Sequence, residues 1–510
     1  MGFLTDAYND FLKLNGLTER NGIMRALEAL EDGKSVIIKA PTGYGKTTLT
    51  RVLAKALADS RNDLYARVIH VLPLRSIVQD LYRKLLSDKD RGLISVAVAA
   101  QDMDFHDSPF FIKRITVTTL DTFALNLFKI PPVEMKNLFN NFKAHYELPR
   151  GMIYSSIVIF DEFHLLGEEG KPLTAALAAL KALSGAGVPV VVASATIDDS
   201  LMKLLYREIP NIRDFVVIED PSFDDNREVM VRLIGDPIAD AEKLVREGKR
   251  VLMVFNTRRD AVDAYQQLKS RGLQPVLIHS KFTRSDRMRK TESILDGKST
   301  RLVISTQVVE AGVDTSFDVV ITEAAPPHNI IQRAGRVARY GGRGELHVFP
   351  FSGAVYDKDE VDMVYRSLKD GEPLHAEELL KLSTRNYEGL VSWNLLHDLA
   401  IIDESPWAHG GHAKRLYEAL CGLTRETPLV PGVVDHGSSY DVVPLTEEEA
   451  CGELRKTGKY FTAAGVVQDK PEGLLRYCSY ENPCLEVKFL IYGIYGVAVS
   501  DYDGEVGLKL

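Results

Sequence analysis

The sequence predicts an α/β protein with two tandem doubly wound parallel-sheet domains and a C-terminal accessory region, helical at first and then mainly β. Three observations predict it. Short β-branched apolar runs alternate with helix-patterned stretches, the arrangement of parallel strands covered by helices on both faces. The runs fall into two sets, separated by a polar stretch with two prolines, REIPNIRDFVVIEDPSFDDNREV. With 510 residues, 45% of them hydrophobic, the chain can bury several cores, and about three domains is the ordinary expectation at that length.

The first set runs SVIIKA, RVIHVLP, ITVTT, SIVIFDE and VPVVVASAT, ending near Thr196. With a hinge near Pro221, it predicts a first domain of residues 1–221. The second set, RVLMVFN, PVLIHS, RLVISTQ, DVVITEA and ELHVFP, ends at Pro350 and predicts a domain of residues 222–352. Residues 353–510 open with helical patterns in DEVDMVYRSLKD and AKRLYEALCGL. The last stretch is expected as turns and strands closing on a hairpin, YGVAVSDYDGEVGLKL.

Composition narrows the function classes. A net charge of −9 argues against a protein that coats nucleic acid with general basicity. From Pro431 onward 13 acids face seven Lys plus Arg, so most of the excess lies in the tail, and any polyanion should run along the first two domains. No apolar run approaches the ~18 residues of a membrane span. The N-terminus MGFLTDAYND lacks a signal pattern, so a cytoplasmic protein with no membrane partner is expected. Cys421, Cys451, Cys478 and Cys484 have no CxxC spacing and are expected as buried free thiols. Eight glutamines in the whole chain suit a heat-adapted source, where thermolabile amides are sparse.

The chemistry begins at APTGYGKTT. Ala40 to Thr47 has the spacing of a phosphate-binding loop with Ala in place of the first glycine. It follows a strand and opens the helical pattern KTTLTRVLAKALA. Gly43 and Gly45 let backbone N–H groups point at phosphates. Lys46 is expected to reach the β and γ phosphates and Thr47 to ligate magnesium, with Thr42, Tyr44 and Thr48 completing the nucleotide contacts. In SSIVIFDEFH an apolar strand delivers Asp161, expected to hold the magnesium, and Glu162, expected to polarise the attacking water; acids at that edge of a parallel sheet line the ligand crevice. His164 is expected to couple this site to Ser194 and Thr196 of ASAT.

In NIIQRAGRVAR, Gln332, Arg333, Arg336 and Arg339 have the spacing of an exposed basic helix. A glycine at 335 costs about 1 kcal/mol in a helix interior, and close approach to a phosphate would justify it. Gln332, Arg336 and Arg339 are therefore expected to be catalytic, the two arginines as fingers on the departing γ-phosphoryl charge. Loop and fingers on different domains imply a cleft that opens and closes with hydrolysis, which is a motor. Its track is expected at the remaining strand ends. Arg75 of LPLRS, Thr118 and Thr119 of VTTLD, Asn256, Thr257 and Arg258 of FNTRR, Ser280 of IHSKFTRSDR and Thr306 of STQVVEAGVD suit phosphate oxygens.

In this order APTGYGKTT, LPLRS, VTTLD, DEFH, ASAT, STQVVEAGVD and QRAGRVAR resemble the superfamily 2 DExH helicases over about residues 15–350. STQVVEAGVDTSFDVVITEAAPPHNIIQRAGRVAR is similar, nearly residue for residue, to the segment joining motifs V and VI of the CRISPR-associated helicase of type I systems. The resemblance implies two RecA-like domains and places Gly312 and Asp314 at the nucleotide. It also implies an ATP- and magnesium-dependent translocase on single-stranded DNA, moving 3' to 5', recruited to a Cascade-type CRISPR RNA-guided complex.

The sequence departs from that family twice. Only 39 residues precede the loop and the first histidine is His70, so the HD nuclease often fused there is expected as a separate subunit. His397, Asp398, His409 and His412 are read as scattered residues of a helical linker rather than a metal site. The glutamine that often reads adenine is also missing, the first being Gln79. Two rival functions stay open, a superfamily 2 helicase acting on RNA or in repair and a nucleotide-dependent clamp without turnover.

Overall fold

The computed structural model describes residues 2–509 apart from 42, 103–104, 142–144, 221–226, 298–299, 311–314, 340, 354, 406–409, 427, 438, 463–464, 468–471 and 480–483. The chain divides into two compact units. One comprises Met1–Phe223, Asn386–Pro428 and Glu486–Gly493, the other Asp224–Arg385, Leu429–Leu485 and Ile494–Leu510. The region expected as one accessory part, 353–510, is thus shared between them, and the expected hinge at Pro221 lies outside the described residues.

The first unit holds a seven-stranded sheet. Its strands are β1 (Val36–Lys39), β2 (Arg67–Leu72), β3 (Val98–Gln101), β4 (Ile115–Thr119), β5 (Ser156–Phe160), β6 (Val190–Ser194) and β7 (Val216–Glu219), in the order β3-β4-β2-β5-β6-β1-β7. Every pairing is parallel. Central strands such as SIVIF and VVVAS are buried throughout, as a sheet covered on both faces requires. The helices Phe3–Asn15 and Asn21–Glu31 pack Tyr8, Phe11 and Leu27 onto Val36 and Ile38 of β1 in one core.

The second unit has a six-stranded parallel sheet of β8 (Arg227–Leu233), β9 (Val251–Val254), β10 (Val276–Ile278), β11 (Leu302–Ser305), β12 (Val319–Glu323) and β13 (Gly342–Phe349), in the order β10-β11-β9-β12-β13-β8. Sequence reasoning missed β3, β7 and β8. All three are edge strands: β3 is alanine-rich, β7 lies within the polar, proline-bearing stretch read as the hinge, and β8 is interrupted by Arg227, Glu228 and Arg232.

A third, mixed sheet in the second unit orders β14 (Leu429–Asp435), β15 (Tyr440–Thr446), β16 (Tyr460–Thr462), β17 (Gly465–Val467) and β18 (Ile494–Ala498) as β15-β14-β18-β16-β17. The expected terminal hairpin is corrected. YGVAV pairs with β14 and β16, and only Tyr502–Asp503 and Gly507–Leu508 fold back on each other. The helix Glu447–Thr457 interrupts the stretch read as turns and strands; its capping box, Thr446 with Glu449, was legible as T-x-x-E before an apolar position. Cys451 is disulfide-bonded to Cys478, and no free cysteine occurs among the described residues, which overturns the expectation of buried thiols. Among the described residues no helix is long and apolar enough to cross a membrane.

The C-terminal segments of the second unit close over the ends of β9 and β10. Lys281 pairs with Glu449 and donates to Pro444 O at 2.9 Å, Arg258 donates to Leu508 O at 3.2 Å, and Tyr502 donates to Asp286 at 2.6 Å. His279 stacks on Phe282, its Nε2 lies 3.0 Å from Val506 O, and its Nδ1 accepts from Lys281 N at 3.2 Å. That pattern requires a neutral ring. Burial pushes His279 down to about 3, with the charges of Arg258, Lys290 and Lys281 adding to it against the Val506 carbonyl. The unfolded chain takes up a proton below the ordinary value of about 6.5 and the folded one only near 3, so stability falls as pH drops through that window, by at most about 1.4 kcal/mol per unit. His279→Gln is expected to flatten the acid limb of the melting-temperature profile; an unchanged slope counts against this role.

Candidate nucleotide and nucleic-acid site

β1 delivers Ala40, whose N–H bonds Ser194 O of the next strand at 3.1 Å. Gly43 and Gly45 then take φ of 91° and 92°, left-handed values at which a side chain is strained, and the helix Lys46–Ala56 begins. Its N-terminal N–H groups and dipole suit an anion. Buried Lys46 donates Nζ to Ala40 O at 3.0 Å and Pro41 O at 3.4 Å, spanning the mouth of the loop. Thr47 and Thr48 are half-buried at the helix start; Thr42 lies outside the described residues. Tyr44 points elsewhere than expected. Its hydroxyl donates to Asp220 at 2.5 Å and accepts from Gly22 N at 2.9 Å, so the side chain anchors the loop from behind. Burial, reinforced by Asp220, pushes its phenol well up.

Asp161 follows β5, buried, with its N–H on Val71 O at 3.0 Å. His70 from β2 brings Nε2 to 3.6 Å from its carboxylate, and Thr50 Oγ1 lies 2.7 Å from His70 Nδ1. Burial pushes the Asp161 carboxyl up, but His70, then Lys46 and the Glu162 N–H, outweigh it and hold it below the usual range. Sequence reasoning missed His70 and Thr50. A histidine inside the apolar run RVIHVL and a threonine one turn after Lys46 were the signals. Glu162 sits at φ 49°, a conformation that costs a non-glycine residue of order 1–3 kcal/mol and clusters at functional sites. His164 links outward, 3.7 Å from Glu162 Oε2 and 2.7 Å from Ser194 Oγ, which also accepts from Thr196 N at 3.2 Å. A carboxylate kept ionised beside a phosphate-type loop suits a divalent cation, and the Glu162–His164–Ser194 chain ties its neighbour to the end of β6.

At the other strand ends of this unit several expected contacts are occupied internally. Thr118 is buried and donates to Gln101 O at 2.6 Å, while Thr119 donates to Thr122 at 3.4 Å. Both hydroxyls thus have partners within the unit, as a buried hydroxyl requires. Arg75 opens the helix Arg75–Asp90, half-buried. Asp121 beyond β4 is gripped by Thr424 Oγ1 and by Arg425, whose Nε donates at 2.6 Å. Burial pushes Asp121 up, and Arg425, Thr424 and Arg75 more than reverse it.

In the second unit Asn256 is buried, with Nδ2 on Ala324 O at 2.9 Å and Oδ1 accepting from Arg333; Thr306 is buried too. Thr257 caps the helix Arg258–Ser270 by accepting from Asp260 N, and Arg258 is drawn to the C-terminus. Of the expected track residues here only Ser280 is exposed. Gly312 and Asp314 lie outside the described residues. The basic helix is also corrected: Pro327–Ala334 ends before Gly335, which caps it in the ordinary right-handed conformation, so no helix-interior cost arises. Gln332, Arg333 and Arg336 are buried, not exposed. Arg336 donates Nε to Val309 O at 2.9 Å and also bonds Glu310 O; half-buried Arg339 bonds Ser316 Oγ through its N–H at 2.9 Å. His397 and Asp398 lie side by side on the helix Trp393–Glu404, the histidine exposed; His409 is outside the described residues, and among those described no three His, Cys, Asp or Glu group to hold a metal.

Residues 23–204 match the family model described as DEAD/DEAH box helicase, and residues 247–342 match CRISPR-associated nuclease/helicase Cas3, C-terminal. These two segments are thus similar, respectively, to a DEAD/DEAH box helicase domain and to the C-terminal part of Cas3. Among Cas3 relatives, the CRISPR-associated helicase Cas3 of Thermoproteus tenax is 28% identical over 64% of this chain and 58% of its own length. The ATP-dependent helicase Lhr-Core of Methanocaldococcus jannaschii is 27% identical over 66% of this chain and 42% of its own. The fold matches the crystal structure of T. fusca Cas3-ADP with a TM-score of 0.63 at 18% identity, over 98% of this chain and 65% of that one. The chain thus spans less than two thirds of the Cas3 and related proteins it matches.

Proposed function

We propose that the chain is an ATP-dependent translocase on single-stranded DNA, moving 3' to 5' in the cytoplasm. In this reading it unwinds DNA at a type I, Cascade-type CRISPR effector for degradation by a separate HD nuclease. The observation that carries the reading is the unbroken run Lys46, Asp161, Glu162, His164 and Ser194 in one parallel-sheet unit, joined to a Cas3-type second unit. The loop holds the phosphates of ATP; Thr47 and Asp161 hold magnesium, which when bound neutralises phosphate charge. Glu162 orients water and takes up its proton, His164 and Ser194 relay its position, and Arg336 and Arg339 act as fingers.

The Lhr-Core likeness keeps another helicase substrate in view, and one comparison separates the two. ATP hydrolysis by the purified chain is expected to rise severalfold with single-stranded DNA and little with RNA of the same length. A 5'-labelled strand should stay uncut until an HD nuclease polypeptide is added. Equal stimulation by RNA, or metal-dependent cutting by this chain alone, overturns the corresponding half of the proposal.

A further inference from the structure

His70 interrupts the apolar run of β2 and is 1% exposed. Thr50, wholly buried one turn after Lys46, brings Oγ1 to 2.7 Å from its Nδ1. With that hydroxyl donating, a neutral ring carries its hydrogen on Nε2. Nε2 is buried without a hydrogen-bond partner among the described residues, and Asp161 Oδ2 lies beside it at 3.6 Å. The other Asp161 oxygen accepts from Glu162 N at 2.8 Å. All of these groups belong to the first unit.

A separation of 3.6 Å is longer than a hydrogen bond, but a buried donor has to reach an acceptor, and Asp161 is the acceptor next to it. Thr50 sits on the helix that opens with Lys46, so Thr50, His70 and Asp161 form one buried polar chain from the phosphate loop's helix to the end of β5. A carboxylate that holds a cation takes its orientation from the groups that hydrogen-bond it, and loss of such a partner costs ~10–100-fold in metal affinity. We propose that His70 is a positioning residue for the divalent cation, fixing the Asp161 carboxylate while Thr50 sets the ring. The proposal rests on the reading of Asp161 given above.

Manganese binding to the purified chain with saturating ADP, followed by electron paramagnetic resonance, tests this without turnover. His70→Leu is expected to weaken manganese about tenfold, while ADP affinity in EDTA stays within about twofold of the wild type. His70→Gln, whose amide offers a donor near the Nε2 position, should recover most of that loss. Thr50→Val removes the hydroxyl and should weaken manganese in the same direction. Added to His70→Leu it should change the affinity by less than about twofold, because residues that act as one unit are not additive. Wild-type manganese affinity in His70→Leu, or an equal fall in manganese and metal-free ADP affinity, overturns the proposal. Should His70→Leu not fold, unchanged manganese affinity in Thr50→Val overturns it. A wild-type chain that binds no manganese with ADP would instead overturn the reading of Asp161 on which the proposal rests.

Discussion

Glu162→Gln is expected to abolish DNA-stimulated ATP turnover while nucleotide still binds, and Lys46→Ala to abolish both. The amide preserves the shape of Glu162 and its place beside His164 but cannot take a proton from water, a loss of roughly 10²–10⁴-fold for a general base. Lys46 differs because its buried ammonium already bridges the carbonyls of Ala40 and Pro41. Truncation leaves those carbonyls short of a donor and removes the positive charge from the anion cradle, so affinity falls with rate. A fluorescent nucleotide titration beside a phosphate-release assay separates the two variants. Wild-type turnover in Glu162→Gln at saturating DNA would remove that residue from the mechanism.

The parts of this site legible in the sequence are those encoded over a few residues. The loop needs Gly43 and Gly45 at left-handed φ and Lys46 at a helix start, and all three requirements lie within one short motif. β5 and β6 were legible because strands buried on both faces are apolar throughout, and their ends place His164 beside Ser194. What the sequence did not disclose depends on distant partners. Tyr44 looks like a nucleotide contact until Asp220, 176 residues away, is found holding its hydroxyl. Asp121 is answered by Arg425, 304 residues on. Thr118 and Asn256 sit at strand ends where a phosphate contact was expected, yet burial commits each to a neighbouring carbonyl. A polar residue after an apolar strand has two uses, closing the fold or facing a ligand, and the pattern of residues around it does not tell which distant partner it meets.

Arg336→Ala and Arg339→Ala are expected to lose turnover by about 10³-fold or more, the scale of a finger in other nucleotide hydrolases, but to differ in stability. Arg336 is buried and donates to Val309 O and Glu310 O. Its removal leaves two carbonyls short of partners, and each such buried group costs about 1–3 kcal/mol. The melting temperature should therefore fall along with the rate. Arg339 is only half-buried, and its bond to Ser316 runs through the backbone N–H, which alanine retains. Its variant should melt close to the wild type. If both arginines serve hydrolysis rather than the track, single-stranded DNA affinity in a salt titration should stay within about twofold and the slope of log affinity against log salt should not change. A slope lower by about one unit in either variant, with unstimulated ATPase intact, would move that arginine from the nucleotide to a phosphate of the track.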